Sequence, residues 1–269
     1  MNNRIDKKLN LMKSDSEPVL VPYITSGFPN IHIFKKIVLE ILDNGADILE
    51  IGIPFSDPLA DGPTIQKSNY IALKNGVNLK KTINLLTEIR ASNNVSPMVF
   101  MGYYNPFLSY GIDDFLRDAS KAGLDGLIIP DLPTEESNEL FQKCLSHGIH
   151  LIPLLAPTST DETIKQACKQ AGGYIYCVSL TGVTGARSQL SSEVKKLVRR
   201  IKTHTDLPVL VGFGISTRSN VLEVNDFADG AVVGSAFIDH ISNSSEGSEV
   251  ESAVKFIRSL KYVDSNVKN

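Results

Sequence analysis

Short apolar runs rich in β-branched residues alternate along the chain with longer amphipathic segments. The runs are Val19–Thr25, Ile48–Ile53, Met98–Gly102, Gly126–Ile129, Leu151–Leu155, Tyr174–Ser179, Val209–Gly212 and Gly230–Val233. Their apolar character is continuous rather than alternating, which favours parallel strands covered on both faces. Helical patterns lie between them at Ile31–Asn44, Leu79–Ser92, Asp113–Ala122, Glu135–His147, Asp161–Ala171, Ser192–Thr203 and Ser216–Val224, with a last one near Val250–Leu260. Arg4–Lys13 reads as an extra helix ahead of the first strand. Strand–helix alternation throughout implies βαβ units. Eight units in 269 residues match an α/β fold of one domain, residues 1–269, closed as a (β/α)8 TIM barrel with an added N-terminal helix. An open doubly wound sheet is the alternative, but Val19–Pro29 lacks the Gly-rich turn that usually follows its first strand. Ser242–Ser248 reads as a loop between two terminal helices.

Composition narrows the class further. Hydrophobic residues at 42% and charged residues at 21% exclude a disordered chain. A net charge of −3 gives no general attraction to nucleic acid or an anionic membrane. Cys144, Cys168 and Cys177 form no CxxC pair, so neither a disulfide framework nor a zinc site is expected. The opening residues carry charges but no apolar core of a secretory signal, and no run is long enough to span a membrane. The expected location is the cytoplasm, or the plastid stroma in a photosynthetic eukaryote.

In such a barrel, chemistry sits at the C-terminal ends of the strands. Glu50 lies in an otherwise apolar strand. Side chains alternate along a strand, so Ile48, Glu50 and Gly52 share the inward face, while Leu49, Ile51 and Ile53 face the helices. A carboxyl buried there has a raised pKa and can both give and take a proton near neutrality. The alternative is a structural Glu held by a buried hydrogen bond or an Arg. Asp57 and Asp61 follow in a loop stiffened by Pro54, Pro58 and Pro63. Asp61 is either a site residue or a cap for the helical run after Gly62-Pro63. Glycines end the last two strands, at Gly212-Phe-Gly-Ile-Ser216 and Gly234-Ser235, where barrels often bind phosphate through backbone N–H groups. Gly214, Gly234 and Ser235 are the natural contacts, unless these glycines only make tight turns. The Gly- and Thr-rich stretch from Leu180 to Leu190 has the length of a lid, or of an ordinary surface loop.

No lysine falls in any strand-like run, which removes Schiff-base chemistry. His32, His147, His150, His204 and His240 fall on helices or on the opposite, N-terminal side of the strands, and read as structural or solvated. Carbon–carbon cleavage or isomerisation here would therefore rest on carboxylates alone, with the substrate supplying its own electron sink.

The stretch Glu50-Ile-Gly-Ile-Pro-Phe-Ser-Asp-Pro-Leu-Ala-Asp-Gly-Pro-Thr-Ile-Gln66 resembles the signature of the tryptophan synthase alpha family. So do Pro22-Tyr-Ile-Thr-Ser-Gly-Phe-Pro29, Met101-Gly-Tyr-Tyr-Asn-Pro106, Pro130-Asp-Leu-Pro133, Leu154-Leu-Ala-Pro-Thr-Ser159, Thr181-Gly-Val-Thr-Gly185 and the two late glycine motifs, in order along nearly the whole chain. The resemblance implies retro-aldol cleavage of indole-3-glycerol phosphate to indole and glyceraldehyde 3-phosphate. It implies that Glu50 protonates C3 of the indole and takes the side-chain hydroxyl proton. Asp61 would accept the indole N–H. Tyr176 would stand across the pocket from Glu50, with Tyr23, Met101 and Ile128 as walls. Gly185, Gly214, Gly234 and Ser235 would hold the phosphate, bordered by Phe213. Thr184 would meet Asp61 when the lid closes, and Asp131 would play a supporting part. Pro130 stands where some relatives carry a small aliphatic residue. The resemblance also implies a beta-subunit partner in an alpha2-beta2 heterotetramer, docking near Pro54–Asp61 and Asn105–Pro106. Pyridoxal phosphate would belong to that partner, and no cofactor or metal to this chain. The rivals are another phosphate-binding barrel, such as a sugar-phosphate isomerase or indole-glycerol-phosphate synthase, and a catalytically idle subunit that only activates a partner. Indole-glycerol-phosphate synthase would need a barrel lysine, and an idle subunit could have lost Glu50 or Asp61.

Overall fold

The computed structural model describes residues 3–12, 18–178, 187–212 and 214–262, with backbone alone at 187–191. Expectations for Thr184, Gly185, Phe213 and most of the lid-length stretch lie outside these residues. In chain order the elements are α1 (Arg4–Met12), β1 (Val19–Thr25), α2 (Ile31–Asp43), β2 (Leu49–Gly52), α3 (Pro63–Lys74), α4 (Leu79–Ser92), β3 (Met98–Met101), α5 (Tyr104–Tyr110), α6 (Ile112–Ala122), β4 (Gly126–Ile128) and α7 (Asn138–Ser146). Then come β5 (His150–Leu151), β6 (Leu154–Leu155), α8 (Asp161–Gln170), β7 (Ile175–Val178), α9 (Arg187–Lys202), β8 (Val209–Gly212), α10 (Arg218–Asn225), β9 (Gly230–Val233), α11 (Ser235–Ser242) and α12 (Glu249–Lys261).

The strands form one parallel sheet in the order β5-β4-β3-β2-β1-β9-β8-β7-β6. Its two ends, β5 and β6, are separated by Ile152 and Pro153 alone, so the sheet closes on itself as a barrel. The expected fifth strand is thus two short ladders. Its first half pairs with β4 and its second with β7. Between them, Ile152 N–H donates to Leu127 O at 2.9 Å, and Pro153, which has no N–H, only accepts, from Tyr176 N at 3.1 Å. The helical pattern at Glu135–His147 also divides, into a 3-10 turn at Thr134–Glu136 and α7. The sequence pattern did not mark α5. Its Pro106 sits in the first turn, where a missing N–H costs nothing.

Strand alternation produces two apolar cores. Val19, Val21, Ile48, Val99, Ile128, Tyr174, Leu210 and Val232 fill the barrel, joined from below by Ile5 and Leu9 of α1. Leu49, Ile51 and Ile53 face outward into the core shared with the helices. The inward direction expected of Ile48 and Glu50 follows from the same alternation.

At the N-terminal end, three aspartates clamp neighbouring strands in one repeated geometry. The N–H groups of Asp47, Asp125 and Asp229 donate to the carbonyls of Leu20, Met98 and Val209 at 2.9, 3.0 and 2.9 Å. Each carboxylate accepts the N–H of that same residue in return, at 2.9, 2.9 and 2.8 Å. Cations neutralise them: Lys261 and Lys8 on Asp47, Arg90 and Arg4 on Asp125, and Lys202 on Asp229. At the start of β7 the chain instead carries Gly172-Gly173. A Cβ on Gly172 would stand 2.0 Å from Nδ1 of His150, whose Nε2 meets Asp6 of α1 at 2.9 Å. His150 is thus a structural residue that fastens α1 under the barrel.

We predict that Asp125→Asn lowers unfolding stability by about 3–5 kcal/mol, because Arg90 and Arg4 lose their countercharge in a buried setting. Urea unfolding of the variant against the parent chain measures this, and a change below about 1 kcal/mol would refute the clamp.

Candidate active site

A cleft of about 680 Å³ opens at the C-terminal ends of the strands. Of the expected site residues, Asp61, Met101, Tyr176, Gly214, Gly234 and Ser235 line it, together with Pro130. Openings of about 600 and 650 Å³ at the other end lie against α1, and one aspartate in each, Asp229 and Asp47, already holds a cation.

Glu50 is fully buried, one layer beneath the cleft. Tyr174 Oη donates to its Oε1 at 3.1 Å, and Oε2 has no partner among the described residues. Burial lifts its pKa from 4.5 to about 8, with the Tyr174 hydrogen bond opposing. No Arg or Lys pairs with it among the described ion pairs, so the acid stands without a countercharge. Two glycines shape the space above it. A Cβ on Gly52 would stand 2.0 Å from Tyr23 Oη, and one on Gly212 would stand 2.3 Å from Tyr176 Oη. Both phenols therefore lie flat over bare backbone, and burial raises the pKa of each. Tyr23 stands behind Gly234, its Cβ 3.9 Å from where a Gly234 Cβ would be, and Ile128 lies in the barrel core below Met101. Neither lines the cleft.

Asp61 sits on the rim. The residue capping α3 is Gly62, without a side-chain cap bond, so the capping alternative for Asp61 does not describe this fold. Its Oδ2 accepts from Asn69 Nδ2 at 3.2 Å, and its carbonyl accepts from Gln66 Nε2 at 2.9 Å. Burial raises its pKa from 3.8 to about 6, with Asn69 and Tyr103 opposing. Tyr103 Oη accepts the Ala60 N–H at 2.8 Å, and its ring packs on Phe55 at 5.4 Å. Asp57 is exposed and accepts from Ser56 Oγ at 2.5 Å.

The opposite wall carries the two expected glycines, Gly214 and Gly234. Gly234 precedes α11 without any side-chain cap, which leaves the first N–H groups of that helix free at its positive end. Gly214 holds a left-handed φ of +51°, and nothing lies within 4 Å of where its Cβ would be. Asp131, by contrast, caps α5: its Oδ1 accepts Tyr104 N–H at 2.8 Å. Among the described residues no cluster of His, Cys, Asp and Glu could hold a metal ion.

Three contributors were not anticipated: Tyr174, Asn69 and Tyr103. Tyr174 shares its inward face with Tyr176 by a two-residue offset, a signal present in the sequence. Asn69 is a buried amide on α3 eight residues after Asp61. Nothing in the sequence ties Tyr103 to the Asp61 loop.

A closed parallel barrel with a cleft at its strand ends, a buried acid beneath it and a second carboxylate on its rim has the architecture of a barrel enzyme. The sequence profile described as tryptophan synthase alpha chain matches residues 9–265. The tryptophan synthase alpha chain of Thermoanaerobacter sp. (strain X514) is 44% identical over 262 residues, covering 97% of this chain and 99% of that protein. The alpha chain of Roseiflexus castenholzii is 45% identical, covering 96% and 99%. The crystal structure of tryptophan synthase subunit alpha from Legionella pneumophila str. Paris superposes with a TM-score of 0.88 at 35% identity, covering 96% of this chain and 97% of that one. The chain belongs to the tryptophan synthase alpha chain family. It is a lyase of tryptophan biosynthesis that cleaves indole-3-glycerol phosphate.

The Glu50 environment also sets a pH dependence of stability. Between its ordinary value of 4.5 and about 8, the folded chain keeps a proton that the unfolded chain releases. The unfolded state is then favoured as pH rises through that window. We predict that Glu50→Gln gains stability relative to the parent between pH 5 and 9, on the order of 3 kcal/mol. Denaturation midpoints at the two pH values check this, and a pH-independent difference would contradict it.

Proposed function

We propose that Glu50 and Asp61 carry the cleavage between them. The observation supporting this most directly is a fully buried acid, with a pKa near 8 and one oxygen unpaired, beneath a cleft whose rim carries the other carboxylate. Glu50 leaves Tyr174 by rotation about its side-chain bonds and enters the cleft between Tyr23 and Tyr176. In its protonated form it delivers the proton to indole C3, and the positive charge settles on the ring nitrogen. Asp61 accepts the ring N–H and stabilises that charge. The carboxylate left on Glu50 then takes the proton of the glycerol hydroxyl next to the ring. A carbonyl forms there, and the electron pair of the breaking carbon–carbon bond returns to C3. Indole and glyceraldehyde 3-phosphate result, and Glu50 is protonated again. Each role falls to a group whose surroundings suit it: Glu50 is reluctant to ionise, and Asp61, held by Asn69, ionises more readily.

In this reading Gly214, Gly234 and Ser235, with Gly185, hold the phosphate, and Phe213 borders it. Met101 and Tyr176 bound the indole, with Tyr23 and Ile128 packed behind that wall. Thr184 meets Asp61 from the following loop. Two exposed leucines, Leu59 at 93% in the Asp61 loop and Leu108 at 52% on α5, suit docking of a beta subunit in an alpha2-beta2 assembly. Pyridoxal phosphate belongs to that subunit. No helix among the described residues is long and apolar enough to cross a membrane, which agrees with a cytoplasmic or stromal location.

Purified chain is expected to release indole from indole-3-glycerol phosphate, and to do so faster with a beta subunit. Glu50→Gln and Asp61→Asn should each lower kcat by roughly 100-fold, the scale of one preorganised electrostatic group. Retention of parental kcat by either variant would remove that residue from the mechanism.

A further inference from the structure

We infer that Thr64 and Asp239 are positioning residues, and that their hydrogen bond links the phosphate end of the cleft to the Asp61 carboxylate through α3. The inference rests on the proposed phosphate site at the start of α11.

Asp61 is carried by α3. One residue, Gly62, separates it from the helix, and two side chains of that helix grip it, Gln66 at its carbonyl (2.9 Å) and Asn69 at its carboxylate (3.2 Å). Any shift of α3 therefore shifts Asp61. Midway along, α3 is held to β1, where the hydroxyls of Ser68 and Thr25 lie 2.6 Å apart in the core. Its first turn reaches across the surface instead. Thr64 Oγ1 donates to Asp239 Oδ1 of α11 at 3.0 Å. Asp239 borders the same cleft as Asp61 and lies one turn beyond Ser235, on the same side of α11.

The electrostatics give this contact a direction. A phosphate at the start of α11 would stand about 6 Å along the helix from Asp239. Its negative charge makes conformations with Asp239 turned toward the phosphate less favourable. The carboxylate is left facing the Thr64 hydroxyl, the donor it meets at 3.0 Å. The bridge is therefore stronger with the phosphate bound than without it, and that difference is what a coupling between two sites requires. Phosphate binding energy then holds α3, and Asp61 with it, in the arrangement in which Asp61 meets the indole N–H.

The test compares Thr64→Val, Asp239→Ala and Asp239→Asn with the parent, using indole-3-glycerol phosphate and indole-glycerol, the same substrate without phosphate. Single turnovers with enzyme in excess keep the slow substrate measurable, and thermal unfolding confirms that each variant is folded. Thr64→Val and Asp239→Ala are expected to lose about tenfold in rate with the phosphorylated substrate, the scale of one hydrogen bond to a charged group, and less than twofold with the truncated one. Asp239→Asn retains the Oδ1 acceptor and should stay closer to the parent than Asp239→Ala does. Equal losses with both substrates, or no loss with either, would overturn the coupling. A parent chain that failed to cleave even the phosphorylated substrate would strike at the reading of the site itself.

Discussion

Placing a carboxyl group in the interior without a cation is the constraint around which this site is built. Water would stabilise an ionised Glu50, and the described residues of the barrel offer only a phenol on one oxygen. The cost of ionising there keeps the proton on up to about pH 8. A proton retained to that point is also one that can be handed to carbon at neutrality. An arginine beside Glu50 would make the fold easier to stabilise and the acid useless, because it would hold the carboxylate ionised. The two phenols above Glu50 maintain the low-polarity setting, and they fit only because positions 52 and 212 have no side chain.

The same residue class serves the opposite purpose at the other end of the barrel. Asp47, Asp125 and Asp229 are compensated at once, each by a strand N–H and at least one cation. Neutralised in this way, a carboxylate becomes a fastener. The clamps, the Asp6–His150 pair and the apolar side chains of α1 fix the strand starts. Strand ends and the loops after them can then hold uncompensated acid and uncapped helix N–H groups. Stability is concentrated at one end of the strands so that strain can be tolerated at the other.

What could be read from the sequence follows the range of the interaction involved. Strand faces depend on a two-residue period, so the inward direction of Glu50 and the outward direction of Leu49 and Ile51 were legible. The late glycines were legible too, because a strand end followed by Gly is a local signal. Closure of the barrel through Ile152-Pro153 was not, since a pattern of apolar residues does not tell which neighbour each half of a strand will bond. Nor was the Tyr174 bond to Glu50, made across 124 positions of sequence, or the place of Tyr103 beneath the Asp61 loop. The caps separate the two cases most clearly. Asp61 before Gly62-Pro63 has the composition of a helix cap, yet its carboxylate turns to Asn69 on the helix side and leaves the N-terminus to Gly62. Asp131, expected near the chemistry, is the one that caps a helix.

That exchange of roles bears on how the two carboxylates work together. An Asp61 used as a cap would be held by backbone N–H groups and strongly acidic, a fixed charge at a helix end. Held at 3.2 Å by the Asn69 amide, beside Tyr103 and partly shielded from water, it has a pKa near 6 and its orientation depends on where α3 sits. A charge positioned by a helix can respond to whatever touches that helix, which a charge locked into a cap cannot. Glu50 is controlled by burial and Asp61 by position. In the proposed reaction, a substrate that fills the cleft keeps water from the first and fixes the placement of the second, so binding prepares both groups before any bond is broken.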